Sequence, residues 1–110
     1  MTDRLRWGIL GTGNIARQFA AGVRTSRRGT LAAVGSRTLD SARQFGATFD
    51  VRSSYGNYAD VLSDSTVDAV YVSLPNSMHH EWTIKALRAG KHVLCEKPFA
   101  IDAHQSNELF

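Results

Sequence analysis

"LRWGILGTGNIARQFAAGV", residues 5–23, holds two periodicities and a switch between them. Leu5 to Leu10 is an apolar run of strand length, and it stops at Gly11. Beyond it Ile15, Ala16, Phe19, Ala20 and Val23 fall on one face at helical spacing. Between strand and helix stands G-x-G-x-x-A, Gly11 to Ala16. Gly11 permits a tight turn, Gly13 lets a diphosphate approach the backbone, and Ala16 keeps the helix close to the strand. The exposed amides at the helix start would hold the diphosphate. Glycine pairs are common in turns, so the pattern alone says little. Its place between a strand and an amphipathic helix, with a second strand following, is what points to a dinucleotide. The alternative is the same turn in a related domain that takes another ligand, such as a methyl donor.

The alternation continues outward from this turn. Gly29 is expected to stop the first helix, and "TLAAVGS" (Thr30 to Ser36) reads as a second strand. From Thr38, "TLDSARQFG" has near-helical spacing with Gly46 as its stop, and a short strand is expected near Thr48 to Val51. "NYADVLSD" (Asn57 to Asp64) reads as a short helix. "VDAVYVSL" (Val67 to Leu74) is apolar on both faces and β-branched, a buried strand ended by Pro75. Ser77 offers an N-cap for a helix through Trp82, Ile84, Leu87 and Arg88, with Gly90 at its end. "HVLCE" (His92 to Glu96) is a fifth strand, and a last helix starts near Asp102. Strands alternating with helices predict an α/β fold: a doubly wound, Rossmann-type parallel sheet with helices on both faces. Such sheets bind ligands at the carboxyl ends of their strands.

Three further stretches leave strands at that edge. "GSRT" puts Ser36 and Arg37 where an NAD reader would be Asp or Glu; a hydroxyl and a guanidinium suit the 2′-phosphate of NADP, and no carboxylate repels it. Arg37 as a plain surface residue at the next helix start is the alternative. "LPNSMHH" (Leu74 to His80) follows the fourth strand. Its adjacent histidines point about 100° apart on a helix, and "HEWTI" lacks the second histidine of a zinc-protease motif, so no metal site is expected. "VLCEKPF" sends Glu96 and Lys97 out of the fifth strand. A lysine facing a cofactor crevice can hold a substrate hydroxyl and assist its proton transfer; an ion pair between surface neighbours is the competing reading.

Composition narrows the partners. Thirteen Lys and Arg against ten Asp and Glu give a formal charge of +3, too small and scattered a bias to argue for nucleic acid. The densest cluster, Arg24, Arg27 and Arg28, falls at an expected helix end, where cations suit the dipole. One cysteine, Cys95, excludes an internal disulfide. No run is long and apolar enough for a signal peptide or a membrane span, so the expected place is the cytoplasm.

"GILGTGNIA", "GSRT" and "VSLPNSMHHEWTIKALRAGKHVLCEKP" together resemble the N-terminal domain of the Gfo/Idh/MocA oxidoreductases, the family of glucose-fructose oxidoreductase and inositol dehydrogenase; "AGKHVLCEKP" is the most specific part. The resemblance implies an NAD(P)-dependent enzyme that moves hydride between a sugar, polyol or related alcohol and the nicotinamide. It also implies roles. Gly11, Thr12, Gly13, Asn14 and Ile15 would contact the pyrophosphate, and Ser36 and Arg37 the adenosine ribose. Leu74, Pro75, Asn76 and His79 match the element bordering the cofactor. Glu96 and Lys97 match E-K-P, whose lysine is catalytic. Family members are roughly three times as long, with a C-terminal α/β domain that supplies most of the substrate pocket and usually a homo-oligomer interface. The expectation is therefore a single NAD(P)-binding domain over residues 1–110, incomplete before a sixth strand and inactive without its partner domain. A non-catalytic sensor of the same fold is the other class; an intact Lys97 favours the enzyme.

Overall fold

The computed structural model describes residues 5–26 and 29–95. Nine elements alternate along them: β1 (Leu5–Leu10), α1 (Asn14–Thr25), β2 (Gly29–Gly35), α2 (Leu39–Phe49), β3 (Ser53–Tyr55), α3 (Ala59–Ser63), β4 (Ala69–Val72), α4 (Asn76–Arg88) and β5 (His92–Cys95). All pairings are parallel, in the order β3-β2-β1-β4-β5. The order reverses at β1, which makes its carboxyl end the topological switch point.

Two apolar clusters sandwich the sheet. On one face Ile9, Val34 and Tyr71 meet Ala16, Ala20 and Val23 of α1 and Ala42 and Phe45 of α2. The alanines let α1 lie close to the strands, and Phe19 stacks on Tyr71 with ring centroids 4.0 Å apart. On the other face Leu10, Val70 and Val72 meet Tyr58 and Val61 of the α3 region and Ala86 of α4. Helices on both faces follow from strands whose alternate residues are apolar on both sides.

Pairing of β1 with β2 skips a residue: Trp7 faces Leu31, and Gly8 faces Ala33. Ala32 is the extra residue of this bulge, and it puts Ala32 and Ala33 in the same cluster while Leu31 and Val34 share the other.

The amino-terminal sheet edge is held by polar clamps. Arg6 engages Asp68 through Nε at 3.0 Å and Nη2 at 2.9 Å. Lys91 Nζ donates to the carbonyls of Asp64 and Val67 at 2.9 and 2.7 Å. From the carboxyl end of β3, Tyr55 Oη reaches the same Asp64 and donates to it at 2.8 Å. Burial works to raise the Asp64 pKa, but hydrogen bonds from Thr66 and Tyr55 and the Lys91 charge win, and it lies below the ordinary carboxylate value. The Arg6 hydrogen bond likewise lowers Asp68.

Several expected boundaries move. α2 runs through Gly46 to Phe49 and ends at Asp50, whose φ of 58° makes the left-handed cap. Gly46 serves packing instead: a Cβ there would lie 2.5 Å from Ser54 Oγ on β3. The third strand is Ser53–Tyr55, not Thr48 to Val51. α1 closes at Thr25 with an extended Ser26, and Gly29 opens β2 beneath Trp7. α4 starts at Asn76 with Pro75 as N-cap, because the ring presets an extended entry (φ −55°, ψ 152°); Ser77 sits inside the first turn. α3 spans only Ala59–Ser63, with Asn57 Oδ1 accepting from Asp60 N at 2.8 Å. Glu96 and the helix expected near Asp102 lie outside the described residues.

Candidate functional site

Parallel strands bring the loops after β1, β2 and β4 to one sheet edge, and there they enclose a cleft of about 390 Å³. Its walls are Gly11, Thr12 and Gly13 from the first loop, Ser36, Arg37, Thr38 and Ser41 from the second, and Ser73, Leu74, Pro75 and Met78 from the third, with Tyr58.

The two glycines differ in physical reason. Gly11 has φ of 106°, and a Cβ would lie 2.4 Å from the Ser73 carbonyl oxygen. Its amide donates to Gly35 O at 2.9 Å, tying the β1 loop to the end of β2. The turn itself therefore requires a glycine here. Gly13 has φ of −79°, open to any residue, and a Cβ there would meet nothing within 4 Å. It is also the N-cap of α1, where Ser, Thr, Asp or Asn would accept a hydrogen bond from the first turn. No side chain caps this helix and no acid lies in its first turn, so its first amides open beside the cleft. The fold has no need of glycine at position 13, where a Cβ would stand in open space at the cleft wall.

Across the cleft, Thr12 Oγ1 and Ser36 Oγ lie 3.4 Å apart, and Ser36 is buried with its amide on Tyr55 O at 3.1 Å. Thr38 Oγ1 accepts from Ser41 N at 3.2 Å, the N-cap of α2, and donates to Ser41 Oγ at 2.9 Å. Arg37 is exposed on the rim between them. Burial raises the Tyr58 pKa above the usual phenol value, against the Arg37 charge, which lowers it.

Seven of the residues expected at the site therefore meet in one cleft: Gly11, Thr12, Gly13, Ser36, Arg37, Leu74 and Pro75. Asn14 and Ile15 are exposed in the first turn of α1 and do not line it. His79 does not line it either. It is buried on the inner side of α4, 3.4 Å from Thr83 Oγ1, and Met78 takes the place at the wall. Burial lowers the His79 pKa and His80 lowers it further, against a backbone hydrogen bond at Val72, so the imidazole is neutral near pH 7. Asn76 opens α4. Glu96 and Lys97 lie outside the described residues; they follow β5, whose carboxyl end is parallel to those of β1 and β4. Sequence reasoning missed Thr38, Ser41, Ser73, Met78 and Tyr58. The cap motif at Thr38 was the available signal for two of them.

Comparison with known proteins follows the same lines. The family described as GFO_IDH_MocA, oxidoreductases with an NAD-binding Rossmann fold, matches residues 5–110. An uncharacterized oxidoreductase of Rhizobium meliloti is 44% identical over 108 residues, 97% of this chain and 32% of that protein. D-xylose 1-dehydrogenase (NADP(+)) of Hypocrea jecorina is 37% identical over 118 aligned positions, 96% of this chain and 30% of the relative. A crystal structure of a 3-ketoreductase from Actinomadura kijaniata in complex with NADP superposes with a TM-score of 0.86 at 38% identity, covering 97% of this chain and 34% of that one. The chain spans about a third of the length of the curated relatives it matches.

Proposed function

The chain belongs to the Gfo/Idh/MocA oxidoreductase family, and on that premise we propose that it is the cofactor-binding part of an NADP-dependent dehydrogenase or reductase acting on a sugar, polyol or related alcohol or carbonyl. The observation that carries the reading is Gly13: an N-cap glycine with an ordinary φ and empty space where its side chain would stand, at the wall of the cleft. It forgoes a cap worth a few tenths of a kcal/mol over glycine. A diphosphate held on the amides of Asn14, Ile15 and Ala16 accounts for that loss.

The residues present fit a phosphorylated dinucleotide. Gly11, Thr12 and Gly13 would shape the pyrophosphate turn, with Asn14 and Ile15 contributing backbone rather than side chain. Ser36 and Arg37 would take the 2′-phosphate. The absence of a carboxylate at the end of β2 favours NADP over NAD, in keeping with the NADP named for the xylose dehydrogenase and the 3-ketoreductase. Leu74, Pro75 and Asn76 would border the opposite side of the cofactor. Bound nicotinamide supplies hydride acceptance or donation. Lys97, next to Glu96 in the E-K-P run after β5, would hold the substrate hydroxyl and move its proton. The sugar or polyol class is drawn from the relatives, and it concerns the whole protein.

Calorimetric titration with NADPH and NADH, on the chain and on Gly13→Ser and Arg37→Asp, tests the reading. Gly13→Ser is expected to leave the melting temperature unchanged or slightly higher while NADPH affinity falls at least about 10-fold, because the new side chain fills the cleft. Arg37→Asp is expected to reverse a preference for NADPH over NADH. Undiminished NADPH binding by Gly13→Ser would overturn the pyrophosphate assignment.

A further inference from the structure

Tyr58 lines the cleft, yet neither the glycine turn nor the Ser36–Arg37 loop accounts for it. Its side chain is 9% exposed, and its ring stands edge-on to Trp82 with centroids 5.3 Å apart and planes at 76°. The ring is thus a core residue, fixed by packing. The hydroxyl is not part of that core. Among the described residues no protein group takes it in a hydrogen bond, and it is not among the oxygens sealed from solvent. A phenol nine-tenths buried in the lining of a cleft, its oxygen neither sealed from solvent nor bonded to protein and within reach of the Arg37 charge, is placed for a ligand rather than for the fold.

The surroundings say which part of the ligand. Tyr58 belongs to the apolar cluster that Leu74, Met78 and Trp82 pack against, and Leu74 and Met78 also line the cleft. A phosphate would lose its hydration against such a flank without return. A flat heterocycle would not: it can lie along Leu74 and Met78, and the Arg37 guanidinium at the rim can stack on its face. A purine edge then offers ring nitrogens that accept and an exocyclic amine that donates, either of which a phenol can meet.

Resting on the dinucleotide reading above, we propose that Tyr58 is the base-recognition residue of this cleft, its hydroxyl hydrogen-bonding the adenine edge while Leu74, Met78 and Arg37 flank the ring. A phenol is protonated at neutral pH in any case, and burial, which raises its pKa, moves it further from ionisation.

The test is Tyr58→Phe, which deletes one oxygen and keeps the ring on Trp82. Binding of NADPH and of NADH is measured by calorimetry on the variant and on the unaltered chain, with thermal melting alongside. The expected result is the same loss for both dinucleotides, about 3- to 10-fold, with melting unchanged. A loss confined to NADPH would place the hydroxyl on the 2′-phosphate and overturn the base assignment. Equal affinities in variant and parent would reduce Tyr58 to packing and overturn it as well. Failure of the unaltered chain to bind either dinucleotide would strike the dinucleotide reading itself, an outcome distinct from both.

Discussion

Gly11 and Gly13 stand two residues apart, and only one of them is a requirement of the fold. A Cβ at Gly11 combines a left-handed backbone with an approach of 2.4 Å to a carbonyl oxygen that belongs to the main chain and cannot swing away. Gly11→Ala is expected to cost about 2 kcal/mol or more in a urea unfolding titration. Gly13→Ser is expected to cost nothing. A protein in which both substitutions were equally harmless would have a turn other than the one described. The motif was legible in the sequence because both glycines stand between unmistakable periods. That they answer to different masters was not, since φ and free space are properties of the folded loop.

Elements were legible where apolar period decides them. β1 begins and ends where its apolar run does, β4 lies within the stretch its pattern marks, and α4 follows its pattern but starts two residues before the expected cap allows. Legibility failed at α2 and β3, and the two failures share a cause. Gly46 reads as a helix stop, but it is a contact between layers, the residue over which Ser54 passes. With the helix ended too early, Thr48 to Val51 was left to look like a strand. The true β3 is Ser53–Tyr55, short, at the sheet edge and half-buried throughout, with no alternation to reveal it. His79, which the resemblance puts beside the cofactor, is buried on α4, and its neighbour Met78 stands at the cleft wall. The packing account of Gly46 can be checked. In a Ser54→Ala background the obstructing oxygen is gone, so Gly46→Ala should gain about 0.5–1 kcal/mol from helix propensity alone, measured by thermal melting. Destabilisation in that background would mean that the helix cannot approach β3 for some reason other than Ser54.

Across the whole molecule, polar clamps gather at the amino-terminal edge of the sheet and the cleft at the carboxyl edge, so acid should act on stability through Asp64 and Asp68 away from the cleft and through His79 behind its wall. His79 is neutral in the fold with a lowered pKa, while an unfolded chain takes up its proton near 6.5. Its contribution is therefore full above that value and lost as pH falls toward the folded pKa. Asp64 and Asp68 also have lowered pKa values, so theirs is full above the ordinary carboxylate value and lost in stronger acid. Melting temperature is expected to decline between pH 7.5 and 5.5 in the parent and less so in His79→Gln; parallel declines would show that another group carries the effect. The chain order also explains why the site is assembled from so little contiguous sequence: three loops converge only because β1 stands between β2 and β4. That convergence depends on β2 arriving in phase, and here the bulge has a consequence for length. With Ala32 removed, Trp7 would still face Leu31 and Gly8 would still face Ala33, now one to one, and every side chain beyond would keep its face. Relatives of this domain can thus differ by one residue in the middle of a central strand, where an alignment would ordinarily refuse a gap.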